Sequence, residues 1–175
     1  MASREDPRVH LVPDSLRFVY ESSYQYELEP RETAVGFSFV LARRGAKPPL
    51  HVERKWVPFE SGPNARCYVA WLNGKPVGCA EFTIKEPERE CVISLLLVAQ
   101  EHRRQGIGRA LLGIVEQAGR HARSPHILVS CQAVNLGSIE ALRRCGFDFW
   151  GVFSRPTLGP EVEITLGKPI AAANR

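Results

Sequence analysis

Between Cys91 and Ala118 the hydrophobic period of the chain changes abruptly, and that change limits the fold more than any other feature. "CVISLLLVA" (91–99) is almost continuously apolar and reads as a strand covered on both faces. From Ile107 onward, Ile107, Ala110, Leu111, Ile114, Val115 and Ala118 recur at helical spacing, leaving Arg109, Glu116, Gln117 and Arg120 outside. The link between them, "QEHRRQGIG" (100–108), is short, polar and basic, with glycines at 106 and 108. A buried strand therefore turns into an amphipathic helix through a glycine corner.

The flanking segments extend this unit. "ARCYVAWLNGKPVGCAEFTI" (65–84) is two β-rich runs around Asn73-Gly74, a strong hairpin signal. "EPERE" (86–90) makes a second turn, so 91–99 is the third strand of a meander. "HILVSCQAV" (126–134) is another buried strand. Asn135 then caps a second helix, "LGSIEALRRC", which stops at Gly146, a residue suited to the left-handed position past a helix end. "FDFWGVF" and "EVEITLG" close the chain as strands. Upstream, "VHLVP" reads as a strand, "DSLRFVYESS" as a short helix or strand, and "ELEPRETA" as a polar connection. Gly36–Ala42 reads as a strand that "GAKPP" breaks. A meander, then βαβα, then ββ, predicts an α+β class with a mixed, mostly antiparallel sheet flanked by helices.

At 175 residues the chain is expected to be one domain, 1–175. A formal charge of +4 suits a small anionic ligand and is too weak and scattered to argue for nucleic acid. The five cysteines (Cys67, Cys79, Cys91, Cys131, Cys145) contain no C-x-x-C pair and are read as reduced thiols of a cytoplasmic protein. No metal site is expected, because His10, His51, His102, His121 and His126 lack ligand spacing. The longest apolar run, Cys91–Ala99, is far short of the ~20 residues that cross a bilayer, so no membrane partner is expected.

The corner admits three glycine-based readings. A Walker A loop fails because Ile114-Val115 stand where Lys and Ser/Thr belong after Gly108 and Gly113. A Rossmann turn is weak because Leu111 fills the third small position, and "HILVSCQ" lacks the expected acid. The third reading uses the whole string. Backbone N–H groups of the loop and first helical turn have no intrahelical partners, and the helix dipole adds positive charge there. Glycine lets a phosphate approach the backbone, and Arg103 and Arg104 can add charge-assisted contacts. A diphosphate fits such a corner. Taken singly, the glycines can be a plain tight turn, the arginines a solvated face, and Asn135 a plain N-cap.

"LLVAQEHRRQGIGRALL" resembles motif A of the GCN5-related N-acetyltransferases, whose pattern Q/R-x-x-G-x-G/A is met by Arg103, Arg104, Gln105, Gly106, Ile107 and Gly108. A second family motif, an Asn opening a helix that ends in Gly-Phe, is met by Asn135, Ile139 and Gly146-Phe147. The resemblance spans about 67–153. It implies acetyl-CoA as cosubstrate, with its diphosphate on the backbone of Arg104–Arg109. It further implies a pantetheine arm along Leu96, Leu97 and Val98, where two strands splay apart, and assistance from Asn135. The layout of "PRETAVGFSFVLARRGAKPPLHV" is also similar, more weakly, to that of the streptothricin acetyltransferases. Their acidic pair before the pantetheine strand is here Ser94-Leu95.

The chain departs from the family where chemistry is concerned. The tyrosine that serves many members as acid corresponds to Leu142, with Cys145 one turn later, and the carboxylate before the motif Asn corresponds to Ser130. A base is still needed to neutralise an acceptor amine. If the 85–90 hairpin pairs residues summing to 175, Glu81 lies opposite Ser94 and beside the splayed strand, and is the candidate base. A one-residue register shift would place it on the other face. The expected activity is direct acetyl transfer to a primary amine in a ternary complex, the amine belonging to a small molecule or peptide. Rivals are a non-catalytic CoA-binding module, a streptothricin-type antibiotic-modifying enzyme and a nucleic-acid-binding protein. A homodimer is compatible with the sequence.

Overall fold

The computed structural model describes residues 17–33, 36–55, 64–154 and 162–170. Strands β1 (Arg17–Thr33) and β2 (Gly36–Lys55) form a two-stranded sheet. A six-stranded sheet has the order β3-β4-β5-β6-β8-β7, built from β3 (Ala65–Leu72), β4 (Lys75–Lys85), β5 (Glu90–Val98), β6 (His126–Gln132), β7 (Asp148–Ser154) and β8 (Val162–Pro169). Helices α1 (Ile107–His121) and α2 (Leu136–Arg144) complete the α+β fold.

Two upstream expectations are corrected. "ELEPRET" continues β1 instead of connecting elements, and "GAKPP" lies inside β2 instead of breaking it. Pro30, Pro48 and Pro49 lie within these strands, each without an N–H to give to a ladder. "VHLVP" lies outside the described residues.

The described residues fall into two compact units. The first contains Glu53–Val129 and the end of β8; the second contains Tyr20–Val52 and Ser130–Leu166. In the first, the Asn73-Gly74 turn has both residues at positive φ (49° and 75°), the geometry that suits a two-residue hairpin, and β3, β4 and β5 follow as an antiparallel meander. Helix α1 packs on one face of it through Leu111, Leu112, Val115 and Ala118. The buried stripe differs from the expected one: Ala110 is exposed and Leu112 is buried, because covering a leucine removes more apolar surface from water. Two glycines permit the close approach. A Cβ at Gly78 would lie 2.9 Å from the Leu97 carbonyl oxygen and 3.2 Å from Ile107 Cγ2; one at Gly119 would lie 2.6 Å from Ile170 Cδ1. β5 is covered at Cys91, Ile93 and Leu97, while its other residues are half-buried and Ser94 is exposed.

In the second unit the Asn135 cap stands as expected, its Oδ1 accepting from the Ser138 N–H at 3.2 Å. At the other end of α2, Gly146 has φ +88° and its N–H donates to the Arg143 carbonyl, while the Phe147 N–H donates to the Leu142 carbonyl. These are the two bonds of a Schellman ending, with the hydrophobic side chains of Leu142 and Phe147 both buried.

Candidate active site

The corner after β5 is assembled by local bonds. A 3-10 turn covers Gln100–His102, closed by His102 N–H to Ala99 O at 2.9 Å. Arg104 then takes φ +63° and Gly106 φ +84°, so two left-handed residues lie within three positions of each other. Such reversals turn successive N–H groups toward one concavity. Gly106 is the N-cap of α1, and its carbonyl accepts from Ala110 at 2.9 Å. A Cβ built on Gly106 meets nothing within 4 Å, and one on Gly108 only touches Val98 Cγ2 at 3.6 Å. The space above the corner is therefore open to a ligand, and the donors of the first helical turn border it. Arg104, Gln105 and Arg109 are exposed there, and Gln105 is turned back by its bond to Glu101 O.

The strand feeding this corner loses its parallel neighbour midway. Among the described residues β5 pairs with β6 at Cys91↔Ile127, Val92↔Leu128 and Ile93↔Val129, and β5 continues to Val98. The Ala99 N–H donates to Val77 O, so Ala99 and, by alternation, Leu97 turn their main-chain groups toward β4. Leu96 and Val98 turn theirs to the side where the ladder has ended. Of the three strand residues singled out in the sequence, Leu96 and Val98 have this orientation, whereas Leu97 faces β4 with a buried side chain.

Glu81 is buried, 6% exposed, on β4. The expected 175-sum register holds from Lys85↔Glu90 to Phe82↔Ile93; a bulge then shifts it, and Glu81 pairs with Leu95. Ser94 is the extra residue, and its Oγ donates to the Glu81 carbonyl oxygen at 3.2 Å. The Glu81–Ser94 juxtaposition thus survives as a side chain-to-backbone bond, while the cross-strand pair is corrected by one residue. Across β3, Glu81 pairs with Cys67. Burial, then the neighbouring Cys67 and Glu81, push the Cys79 thiol far above its ordinary range. Burial also raises Cys91 to about 12, against a lowering by Arg66. Among the described residues no group of three or more His, Cys, Asp and Glu is arranged to hold a metal ion.

The first unit brings together Leu96–Val98, the 103–109 corner and Glu81 on adjacent strands. Asn135 belongs to the second unit, where it is buried as the α2 cap. Leu142 is a buried core residue of that unit, and Ser130 is exposed with its Oγ 3.1 Å from Thr165 Oγ1. Sequence reasoning missed the commitment of Arg103. Its Nε donates to Val98 O at 3.1 Å and an Nη donates to Val19 O at 2.8 Å. Nothing local signals a bond across 84 positions.

The chain matches the family model described as "Acetyltransferase (GNAT) family" over residues 20–147. Its fold is similar to the solved structure of nourseothricin acetyltransferase, with 24% identity, a TM-score of 0.79, and coverage of 98% of this chain and 100% of that one. It is also similar to a Bacillus anthracis str. Ames protein assigned as a streptothricin acetyltransferase and solved with acetyl coenzyme A, at 16% identity, TM-score 0.73, and 95% and 97% coverage. The ribosomal-protein-S18-alanine N-acetyltransferase of Escherichia coli is similar over 66% of this chain and 75% of that one, at 23% identity and TM-score 0.55. No curated protein sequence matches the chain significantly.

Proposed function

The chain belongs to the acetyltransferase (GNAT) family, and from that premise we propose that it transfers acetyl from acetyl-CoA to a primary amine by direct attack in a ternary complex. The observation that carries this reading is the end of β5. Its ladder with β6 stops at Ile93↔Val129, and the free stretch leads into an open corner of left-handed residues at a helix N-terminus. Backbone groups of Leu96 and Val98 would hold the pantetheine arm as an added strand does. N–H groups between Arg104 and Arg109 would hold the diphosphate, with the exposed Arg104 and Arg109 adding charge. Bound there, acetyl-CoA supplies an activated thioester.

The protein's own work is to orient the acceptor and remove its proton. Glu81, buried beside the bulge at the start of the free stretch, is the base in this reading. Loss of thiolate tolerates a missing tyrosine, because a CoA thiol has a pKa of about 8.5. A covalent acetyl-enzyme is not needed. Cys79 and Cys91 are held protonated by burial, as is Cys131 at about 12, and a neutral thiol is a poor nucleophile.

With Ser94-Leu95 where streptothricin-type relatives have an acidic pair, the acceptor is an amine of low charge: an amino acid, a peptide N-terminus or a monoamine. A second reading, acetylation of a streptothricin-class cation, is favoured by the likeness to nourseothricin acetyltransferase over essentially both whole chains. The test is CoA thiol release from acetyl-CoA with a panel of monoamines, amino acids, peptides, polyamines and streptothricin. Highest kcat/KM for low-charge amines supports the first reading, and highest for streptothricin supports the second. Acetyl-CoA binding without turnover on any amine would leave a CoA-binding module.

A further inference from the structure

Arg103 occupies the first position of the motif that the proposed function assigns to the diphosphate, yet its guanidinium is already engaged elsewhere. Nε donates to Val98 O at 3.1 Å and an Nη donates to Val19 O at 2.8 Å. Val98 is the last residue of β5, and its carbonyl points to the side where the β6 ladder has ended. A carbonyl at such an edge is unsatisfied unless a side chain, water or ligand reaches it. Val19 lies near the start of β1. One planar fork therefore ties three pieces of chain: the free end of β5, the loop that carries Arg103 itself, and the first residues of β1.

On the footing of the acetyl-CoA reading, we infer that Arg103 is a positioning residue: it sets the shape of the corner by clasping Val98 and Val19, and the phosphates are left to the backbone N–H groups and to Arg104. Two consequences separate this from a charge-contact role. A clasp needs the forked donors of a guanidinium, which the compact ammonium of lysine does not reproduce, whereas a phosphate contact needs mainly the charge. Hydrogen bonds to half-buried carbonyls are also little screened by salt, whereas an exposed cation meeting a phosphate is screened.

The test is calorimetric titration of acetyl-CoA and its 3′-dephospho form into wild type, Arg103→Ala, Arg103→Lys and Arg104→Ala, at low and high salt. kcat and KM are measured for any acceptor that wild type turns over. The expected result is that both Arg103 variants lose affinity by about tenfold, the scale of one hydrogen bond from a charged group. That loss should be equal for the two ligands and unchanged by salt, and should appear in KM with kcat retained. Millimolar guanidinium should restore part of the affinity of Arg103→Ala, beyond what the same concentration of sodium chloride does. Arg104→Ala should show a loss that salt diminishes. The inference is overturned if Arg103→Lys binds like wild type, if the Arg103→Ala loss vanishes for the dephospho form or in high salt, or if both variants bind normally whatever their melting temperatures. Wild type failing to bind acetyl-CoA would instead remove the functional reading, and this inference with it. An Arg103→Ala chain that does not fold leaves Arg103→Lys as the deciding variant.

Discussion

The corner at 103–108 and the crossing of Glu81 with Leu95 lie in the same unit, two ends of one stretch of β5, and they are held by different physics. The corner is a backbone object. Its shape follows from φ values of +63° at Arg104 and +84° at Gly106 and from bonds spanning at most a few residues, Arg103 aside. The Glu81 crossing is a register object. Its geometry depends on a hairpin that keeps one register from Lys85 to Phe82 and then slips by one residue at Ser94. A backbone site tolerates side-chain change and punishes a blocked approach. A register site punishes a change in one functional group and tolerates little sliding. The two regions should therefore fail in different ways.

The largest effect is expected at the register site. Glu81→Gln keeps the shape and removes the proposed base, so turnover should fall about 10²-fold with acetyl-CoA affinity retained. Raising the pH should recover part of the loss, because more acceptor is then already neutral. Wild-type turnover across pH would remove Glu81 from the mechanism.

At the backbone site, Gly106→Val should weaken acetyl-CoA about tenfold or more, with circular dichroism near wild type. A Cβ there meets no protein atom, so the loss comes from the left-handed φ that valine resists and from the blocked ligand approach. Unchanged calorimetric affinity would mean that the corner binds nothing.

The dry packing of the sheet that carries Glu81 can be tested separately through its buried thiols. Cys79 and Cys91 have raised folded pKa values, the latter at about 12, so unfolding releases their protons once pH exceeds the unfolded value of about 8.5. The stabilisation is complete below that pH and is lost as pH rises toward the folded value. Unfolding free energies from urea melts should therefore fall between about pH 9 and 12, by about 1.4 kcal/mol per pH unit for each buried thiol, and less steeply in Cys91→Ala. A flat profile would contradict dry packing of this sheet.

The smallest effect sharpens what glycine means in each place. Gly113 lies mid-helix in α1, exposed, with open space at its Cβ and no positive φ. Gly113→Ala should stabilise by about 0.5–1 kcal/mol in denaturant melts and leave acetyl-CoA affinity alone. A destabilised Gly113→Ala would show that the helix surface has a constraint beyond the corner.

The same division explains how much could be read in advance. The strand, corner and α1 were legible because period, glycine and capping signals are local, as were the Asn73-Gly74 turn and the Asn135 and Gly146 ends of α2. The bulge at Ser94 was illegible because nothing in "VISLL" marks which residue will be left unpaired. The Arg103 clasp escaped for the same reason, since its second acceptor lies at Val19. The full lengths of β1 and β2 are not legible, because proline and glycine are local stop signals and these strands run through Pro30, Gly45, Pro48 and Pro49.

In the proposed function, backbone N–H groups at the end of β5 and the start of α1 receive acetyl-CoA. Amide hydrogen exchange, resolved by residue and followed with and without saturating acetyl-CoA, reads those groups directly. New protection is expected at Leu96, Val98 and Arg104–Arg109, and is expected to be lost at the corner in Gly106→Val. Protection elsewhere with these amides unchanged, or none at all, would contradict this placement of acetyl-CoA.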